Sequence, residues 1–377
     1  MTGDDGADGH PELGRAERLA SSLGELGVDA LLVESVIDLR YLTGFTGSHG
    51  LALLVGESAR ARIGGHRFLT DFRYTTQSAE QVPQAFEREI VSGELLEALA
   101  ALLADTDGRL GFDEAHLTVR GHRRLGELLP QGWELVPCAG AVERLRAVKE
   151  AGEVERIRAA AALADEALEG LLQGGLVGRT ERDVAIELES RMRRLGAEAP
   201  SFPSIVAAGP HGALPHASPR DEQIPRDVLV TIDWGALHEG YCSDCTRTYA
   251  TGEAIPTEAR EVYELVLSAQ QQGLAAVKAG PSGREVDGVA RAVIERAGHG
   301  EHFGHGLGHG VGMEIHEGPR LSRTAGEEPL RAGNVVTVEP GIYLPGRLGV
   351  RIEDLVVVGE DAQEVLTSLS KELTVIS

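Results

Sequence analysis

The segment VLVTIDWGALHEGYCSDCTRTYA, residues 228–250, is strand-like on both sides of a short polar turn. If His238 and Glu239 form that turn, Leu237 pairs with Gly240 and the ladder runs outward to set Asp233 opposite Asp244. Cross-strand partners hold their Cβ atoms about 4.5–5.5 Å apart, so two carboxylates would share one surface. The segment NVVTVEPGIYLPGRLGVRIEDLVVV, residues 334–358, repeats the arrangement: with Gly346 at the turn, Glu339 pairs with Glu353. Both acids stand among β-branched residues, where an unpaired charge is costly to bury. Alone, one such pair is equally read as a proton-sharing dyad or a solvated face. Two facing pairs repel unless something positive lies between them, and carboxylate oxygens suit a divalent cation.

Between the hairpins lies FGHGLGHGVGMEIHE, Phe303 to Glu317, with glycine at alternate positions from Gly304 to Gly312. That pattern makes a poor helix but a plausible strand with one naked face. On a strand His305, Leu307, His309, Val311 and Met313 point one way. His316 has the opposite parity and needs a bend, expected near Glu314, to join them.

The formal charge of −23 over 377 residues argues against nucleic acid or an anionic membrane as partner, since both require a basic face. No apolar run approaches the roughly 20 residues of a membrane helix. The start, MTGDDGADGHPELG, lacks a basic region and an apolar stretch, so a short disordered tail is expected there rather than a signal peptide. The three cysteines, Cys138, Cys242 and Cys245, make no disulfide framework, which suits a cytoplasmic home. Cys242 and Cys245 are spaced like a redox or zinc pair, but residues three apart on a strand face opposite ways.

The first part of the chain alternates helix-like and strand-like segments (PELGRAERLASSLGELG, DALLV, GLALLVG, RLGFD, WELVP), the mark of a three-layer α/β domain. From Val142 to Gly174 the apolar spacing predicts one helix. Further helices are expected from Thr180 to Gly196, from Thr257 to about Lys278, and from Ser282 to Gly298, with Asp183 three residues after Thr180 and Glu285 three after Ser282, both at capping-box spacing. The expected organisation is a tail over 1–12, an α/β domain over 13–141, and an α+β domain over 142–377 whose helices cover a mainly antiparallel sheet.

IDWGA with Asp233, YCSDCTRT with Asp244, HGLGHGVGMEIHE, TVEPGIY with Glu339 and RIED with Glu353 together resemble the dinuclear metallopeptidases of the pita-bread (creatinase/aminopeptidase) fold. Within that fold the chain looks like the Xaa-Pro peptidases, aminopeptidase P and prolidase. RYLTGFTGSHG (40–50), LTDFRYTTQSAE (69–80), RLRAVKEAGEVERIRAA (144–160) and FPSIVAAGPHGALPHASPRD (202–221) extend the resemblance over nearly the whole chain. It implies five metal ligands, Asp233, Asp244, His309, Glu339 and Glu353, with Asp244 and Glu353 bridging two ions. Mn²⁺ is favoured weakly over Co²⁺ or Zn²⁺ by ligand type.

The implied activity is hydrolysis of the bond between an N-terminal residue and proline, by a hydroxide bridging the two ions. Glu339 would take the water's proton and pass it toward the prolyl nitrogen. His216 and His316 would hold the substrate and stabilise the tetrahedral oxyanion, His305 would form the pocket wall, and Arg351 would orient Glu353 and contact substrate. Arg320 or Arg323 would receive a dipeptide's carboxylate. The group's habit of pairing subunits implies a homodimer, with Arg40–Tyr41 or Arg73–Tyr74 reaching a partner's site. A methionine aminopeptidase would lack the N-terminal domain, a creatinase would depart from the ligand set, and a non-catalytic interaction module would lose ligands; this chain keeps all five.

Overall fold

The computed structural model describes residues 11–377. The tail expected at 1–12 falls outside it except for Pro11 and Glu12, which already open a helix, Pro11–Ser22. The described residues form two compact units, one ending at Leu145 and one running from Arg146 to Ser377.

The first unit is built on a six-stranded mixed sheet in the order Glu87–Val91, Arg67–Asp71, Leu51–Val55, Ala30–Val33, Gly108–Phe112, Trp133–Pro137. Ala30–Val33 is buried along its whole length, as a strand must be when helices cover both of its faces. It pairs antiparallel with Leu51–Val55 and parallel with Gly108–Phe112, and burial on both faces accounts for a short apolar run that does not alternate.

The second unit contains four antiparallel sheets among the described residues; two of them, one of three strands and one of five, are each covered by a helix pair. Helices Ala151–Leu172 and Glu181–Leu195 pack Leu168, Leu171, Leu188 and Met192 against Val206, Val230, Ile232 and Trp234. Those last four stand on the strands Ile205–Ala208 and Leu229–Trp234, which continue the sheet to Cys245–Ala250. Helices Thr257–Ala276 and Gly283–Arg296 pack Val262, Val266, Ala290 and Ile294 against Val336, Val338 and Val356. Caps fall where expected: Thr180 accepts the N–H of Asp183, and Ser282 with Glu285 completes a capping box, devices that stabilise a helix start by about 1 kcal/mol. The single helix expected over 142–174 is two, Ala141–Arg146 and Ala151–Leu172. The break has a cause: the Lys149 N–H donates to Gly333 O at 2.8 Å, and Glu150 caps the second helix in a box with Glu153.

The first acidic hairpin turns one residue later than expected. Glu239 and Gly240 take the left-handed conformations that a tight hairpin turn requires, and His238 faces Tyr241. Asp233 therefore pairs with Thr246 rather than Asp244. The slip is two positions, and strand side chains alternate with period two, so Asp233 and Asp244 keep a common face. In the second hairpin Gly341 faces Arg351 and Val338 faces Asp354, which sets Glu339 opposite Glu353 as expected. The ladder splits at that pair: the Glu339 N–H donates to Leu307 O and the Glu353 N–H to Thr246 O. Each acid is thus tied by its backbone to a different sheet, and the two sheets meet there.

The glycine-rich segment supplies the strand Gly308–Gly310, between Glu317–Leu321 and Val335–Val338. A Cβ on Gly308 would lie 2.0 Å from Thr337 O, and one on Gly310 2.2 Å from Gly318 O. Close backbone approach is what the glycines permit. His316 rejoins His309 without a strand reversal of parity: the chain leaves the strand at Val311, turns through residues 312–316, where the Gly312 N–H donates to Glu314 O, and returns antiparallel.

Candidate active site

These elements converge on a cavity of about 460 Å³ lined by Asp233, Asp244, His309, Glu339 and Glu353 among others. Asp233, Asp244 and Glu353 each offer an oxygen within 4.8 Å of the others. His309 Nε2 lies 3.5 Å from Asp244 Oδ2 and 3.4 Å from Glu339 Oε1. The five residues that the sequence pattern singled out are together.

Their electrostatics are unbalanced. Four carboxylates face one adjoining guanidinium, Arg351, whose Nη2 donates to Asp233 Oδ2 at 2.6 Å. Burial, then the charges of Glu353, Asp233 and Glu339, push the Asp244 pKa well above the usual range. Burial and the neighbouring carboxylates do the same to Glu353, and burial raises Glu339. Asp233 Oδ1 and Glu353 Oε1 are buried with no hydrogen-bond partner. His309 Nδ1 lies 3.1 Å from Gly310 O, a pure acceptor, so Nδ1 holds the proton and the Nε2 lone pair faces two carboxylates. Orphaned oxygens and a lone pair directed at anions are what a buried cation would satisfy. Oxygen donors with one imidazole fit a hard or borderline divalent ion.

The histidines expected to meet substrate differ among themselves. His216 and His316 are exposed at the cavity, the His316 ring lying 4.3 Å from that of His309. His305 lines the cavity with both nitrogens committed: Nδ1 donates to Gly306 O at 2.8 Å and Nε2 contacts Tyr343 Oη at 2.9 Å. Since Arg351 Nη1 donates to that same Tyr343 oxygen, the tyrosine proton goes to His305. His305 therefore offers substrate a ring face and no free N–H.

Arg351 was expected to orient Glu353 and to contact substrate. Its partners are Asp233, Tyr343, Pro215 O and Thr246, and it reaches Glu353 only through the Thr246 hydroxyl, which donates to Glu353 Oε2 at 2.7 Å. Sequence reading missed Thr246, Thr337 and Tyr343. Thr246 becomes legible once the hairpin register is right, and Thr337, donating to Glu339 Oε1 at 3.1 Å, stands two residues before it, on the strand Val335–Val338 that Glu339 follows. Cys242 and Cys245 take no part: burial pushes the Cys242 thiol up to about 12 and raises Cys245 as well.

Two arginines lie beyond the histidine segment. Arg320 is the cross-strand partner of His309, exposed, and without a hydrogen bond or ion pair among the described residues. Arg323 is paired with Glu295 at 3.1 Å.

Clustered carboxylates beside one histidine, in a peptide-sized cavity between helix-covered antiparallel sheets, provide the chemistry of a metallohydrolase. Residues 155–360 match Metallopeptidase family M24 and residues 15–148 match the Creatinase/Prolidase N-terminal domain. The chain belongs to that family and to its Xaa-Pro peptidase group, with the pita-bread fold, and is a metal-dependent exopeptidase. It is 41% identical to the uncharacterized peptidase YqhT of Bacillus subtilis, over 96% of this chain and 100% of the relative. An Xaa-Pro dipeptidase from Bacillus anthracis superposes with a TM-score of 0.90 at 38% identity, covering 97% of this chain and 99% of that one. An X-Pro aminopeptidase from Thermotoga maritima gives 0.86 at 36%, covering 96% and 100%.

Proposed function

We propose that this chain is an Xaa-Pro dipeptidase in which Asp233, Asp244, His309, Glu339 and Glu353 hold two divalent ions, Mn²⁺ in preference to Co²⁺ or Zn²⁺. The observation behind the ligand set is the pair of orphaned buried oxygens, Asp233 Oδ1 and Glu353 Oε1, beside the inward lone pair of His309. Such ions acidify a water and polarise the scissile carbonyl.

The chain's own groups do the rest. Glu339, its pKa raised by burial, takes a proton from the attacking water and delivers it to the prolyl nitrogen, which leaves as a secondary amine. That nitrogen belongs to a tertiary amide with no N–H of its own, so this delivery is what lets the bond break. His216 and His316 donate to the substrate carbonyl and to the oxyanion it becomes. Arg351 fixes Asp233 and the Pro215 carbonyl, and through Tyr343 it fixes His305. The apolar side chains of Phe202, Ile205 and Ile315 line the same cavity and suit a proline ring.

The preference for dipeptides rests on Arg320. Cross-strand partners project from the same face, so this guanidinium, without an ion pair among the described residues, stands beside His309, and we assign it to the C-terminal carboxylate of a dipeptide. We also infer a homodimer in the cytoplasm. Phe72, next to Arg73 and Tyr74, is 79% exposed and would gain from a partner's cover, and three free thiols suit a reducing compartment. Among the described residues no helix is long and apolar enough to cross a membrane. Hydrolysis of Ala-Pro, Ala-Pro-Ala and Ala-Ala by protein loaded with each metal tests the reading. Turnover of Ala-Pro in excess of both others is expected, highest with Mn²⁺. Failure to cleave any Xaa-Pro bond would defeat it.

A further inference from the structure

His216 stands in the connection 209–219, which has one short helical turn at Gly209–Ala213 and no regular structure from there to Arg220. Its side chain makes no hydrogen bond among the described residues, so only its backbone can fix where the imidazole points. That backbone is held from two sides. On one, Arg351 Nη1 donates to Pro215 O at 3.2 Å, and Gly212 lies so near Gly349 that a Cβ on Gly349 would come within 1.8 Å of Gly212 O.

On the other side is a single carboxylate outside the cavity. Glu181, the first residue of its helix and 1% exposed, accepts the Ala208 N–H at 2.9 Å and the Arg220 N–H at 3.0 Å. Those two residues flank the connection. The same carboxylate accepts His211 Nδ1 at 2.8 Å, inside the helical turn, and Arg220 Nε at 3.3 Å. Burial alone would raise the Glu181 pKa, yet these hydrogen bonds outweigh it and hold the carboxyl below its usual value. One anion therefore closes the loop at its start, its turn and its end.

We propose that Glu181 is a positioning residue for His216, clamping the 209–219 connection so that the imidazole meets the substrate carbonyl. The inference rests on the reading of His216 as a substrate-facing group. An isosteric Gln would turn either an N–H₂ or a weaker neutral acceptor toward Ala208, His211 and Arg220. The loop would lose at least one anchor, and displacement of a catalytic contact by about 1 Å costs up to roughly 100-fold in rate.

The test is a double-mutant cycle in the full-length, metal-loaded protein: Glu181→Gln, His216→Ala and both together, with kcat/KM on Ala-Pro, bound metal and Tm measured for each. Glu181→Gln is expected to lower kcat/KM by about 10- to 100-fold with bound metal unchanged. In the His216→Ala background it should cost nothing further, while its effect on Tm persists. Losses that multiply would show that Glu181 acts elsewhere and overturn the inference alone. Wild-type activity of His216→Ala would overturn the reading of His216 and this inference with it. Should Glu181→Gln not fold, His211→Phe, which removes one arm of the clamp, runs through the same cycle with a smaller loss and the same non-additivity expected.

Discussion

Glu353→Ala and Asp244→Ala proteins are each expected to lose activity by on the order of 10⁴-fold or more, as removal of a central catalytic group does elsewhere. Neither position has a neighbour free to replace it: Asp233 is tied to Arg351, and Glu339 to Thr337. The stability outcome is the sharper part. Both carboxyls have folded pKa values raised above their unfolded ones, by burial first and then by neighbouring anions. A carboxyl shifted upward disfavours the metal-free fold once pH rises past its unfolded value, near 4. At pH 7, then, deleting one should leave the metal-free Tm unchanged or higher, despite the small cavity it creates. Wild-type protein should gain Tm on adding Mn²⁺ by ordinary linkage, and the variants should gain much less. A variant that melts far below wild type without metal, or retains near wild-type turnover, would contradict the ligand assignment.

Arg320→Ala is expected to reduce kcat/KM on Ala-Pro by about 100-fold, mostly through KM, and on Ala-Pro-Ala only by a few fold. Losing one partner of a buried hydrogen-bonded charge pair costs about 2–5 kcal/mol, and the low end of that range applies to Arg320, which is exposed until a bound dipeptide covers it. A guanidinium matched to a carboxylate can supply two parallel bonds. A tripeptide places its carboxylate one residue further out, where Arg320 has no claim on it. Arg323→Ala serves as the internal comparison, because Arg323 is already paired with Glu295 and should leave both substrates unaffected. Equal losses on di- and tripeptide would mean that Arg320 acts on the histidines beside it and not on the substrate's end.

The acidic hairpins were legible in the sequence because side-chain parity survives an error of two positions. The turn was misplaced by one residue, since Glu239-Gly240 lacks the Asn-Gly or Asp-Gly signature of such turns, yet Asp233 and Asp244 still shared a face. The second hairpin was legible outright, as Gly346, with a φ of 72°, marks its turn. The glycines of 304–312 were legible as points of backbone approach, though not what they approach. Other features could not be read along the chain. The break at residues 147–150 depends on Gly333, and the roles of Arg351 and His305 depend on Tyr343 and Pro215, which only the folded sheets bring within reach. His316 appeared misplaced because parity presumes an unbroken strand, whereas its segment is the turn of a hairpin. Glu181 gave no signal at all: a Glu opening a helix is ordinary, and its clamp exists only when Ala208 and Arg220 are close.

On the proposed reading, five residues hold two divalent ions that the chain needs in order to cut before proline. Stripping the protein of metal and titrating Mn²⁺ back, with bound ions counted and Ala-Pro turnover measured at each step, tests it most directly. Turnover should be absent without metal and rise to a plateau at two ions per chain, and it should not appear in the Glu353→Ala protein at any addition. Full turnover by metal-free protein, or a plateau reached equally well by Glu353→Ala, would contradict it.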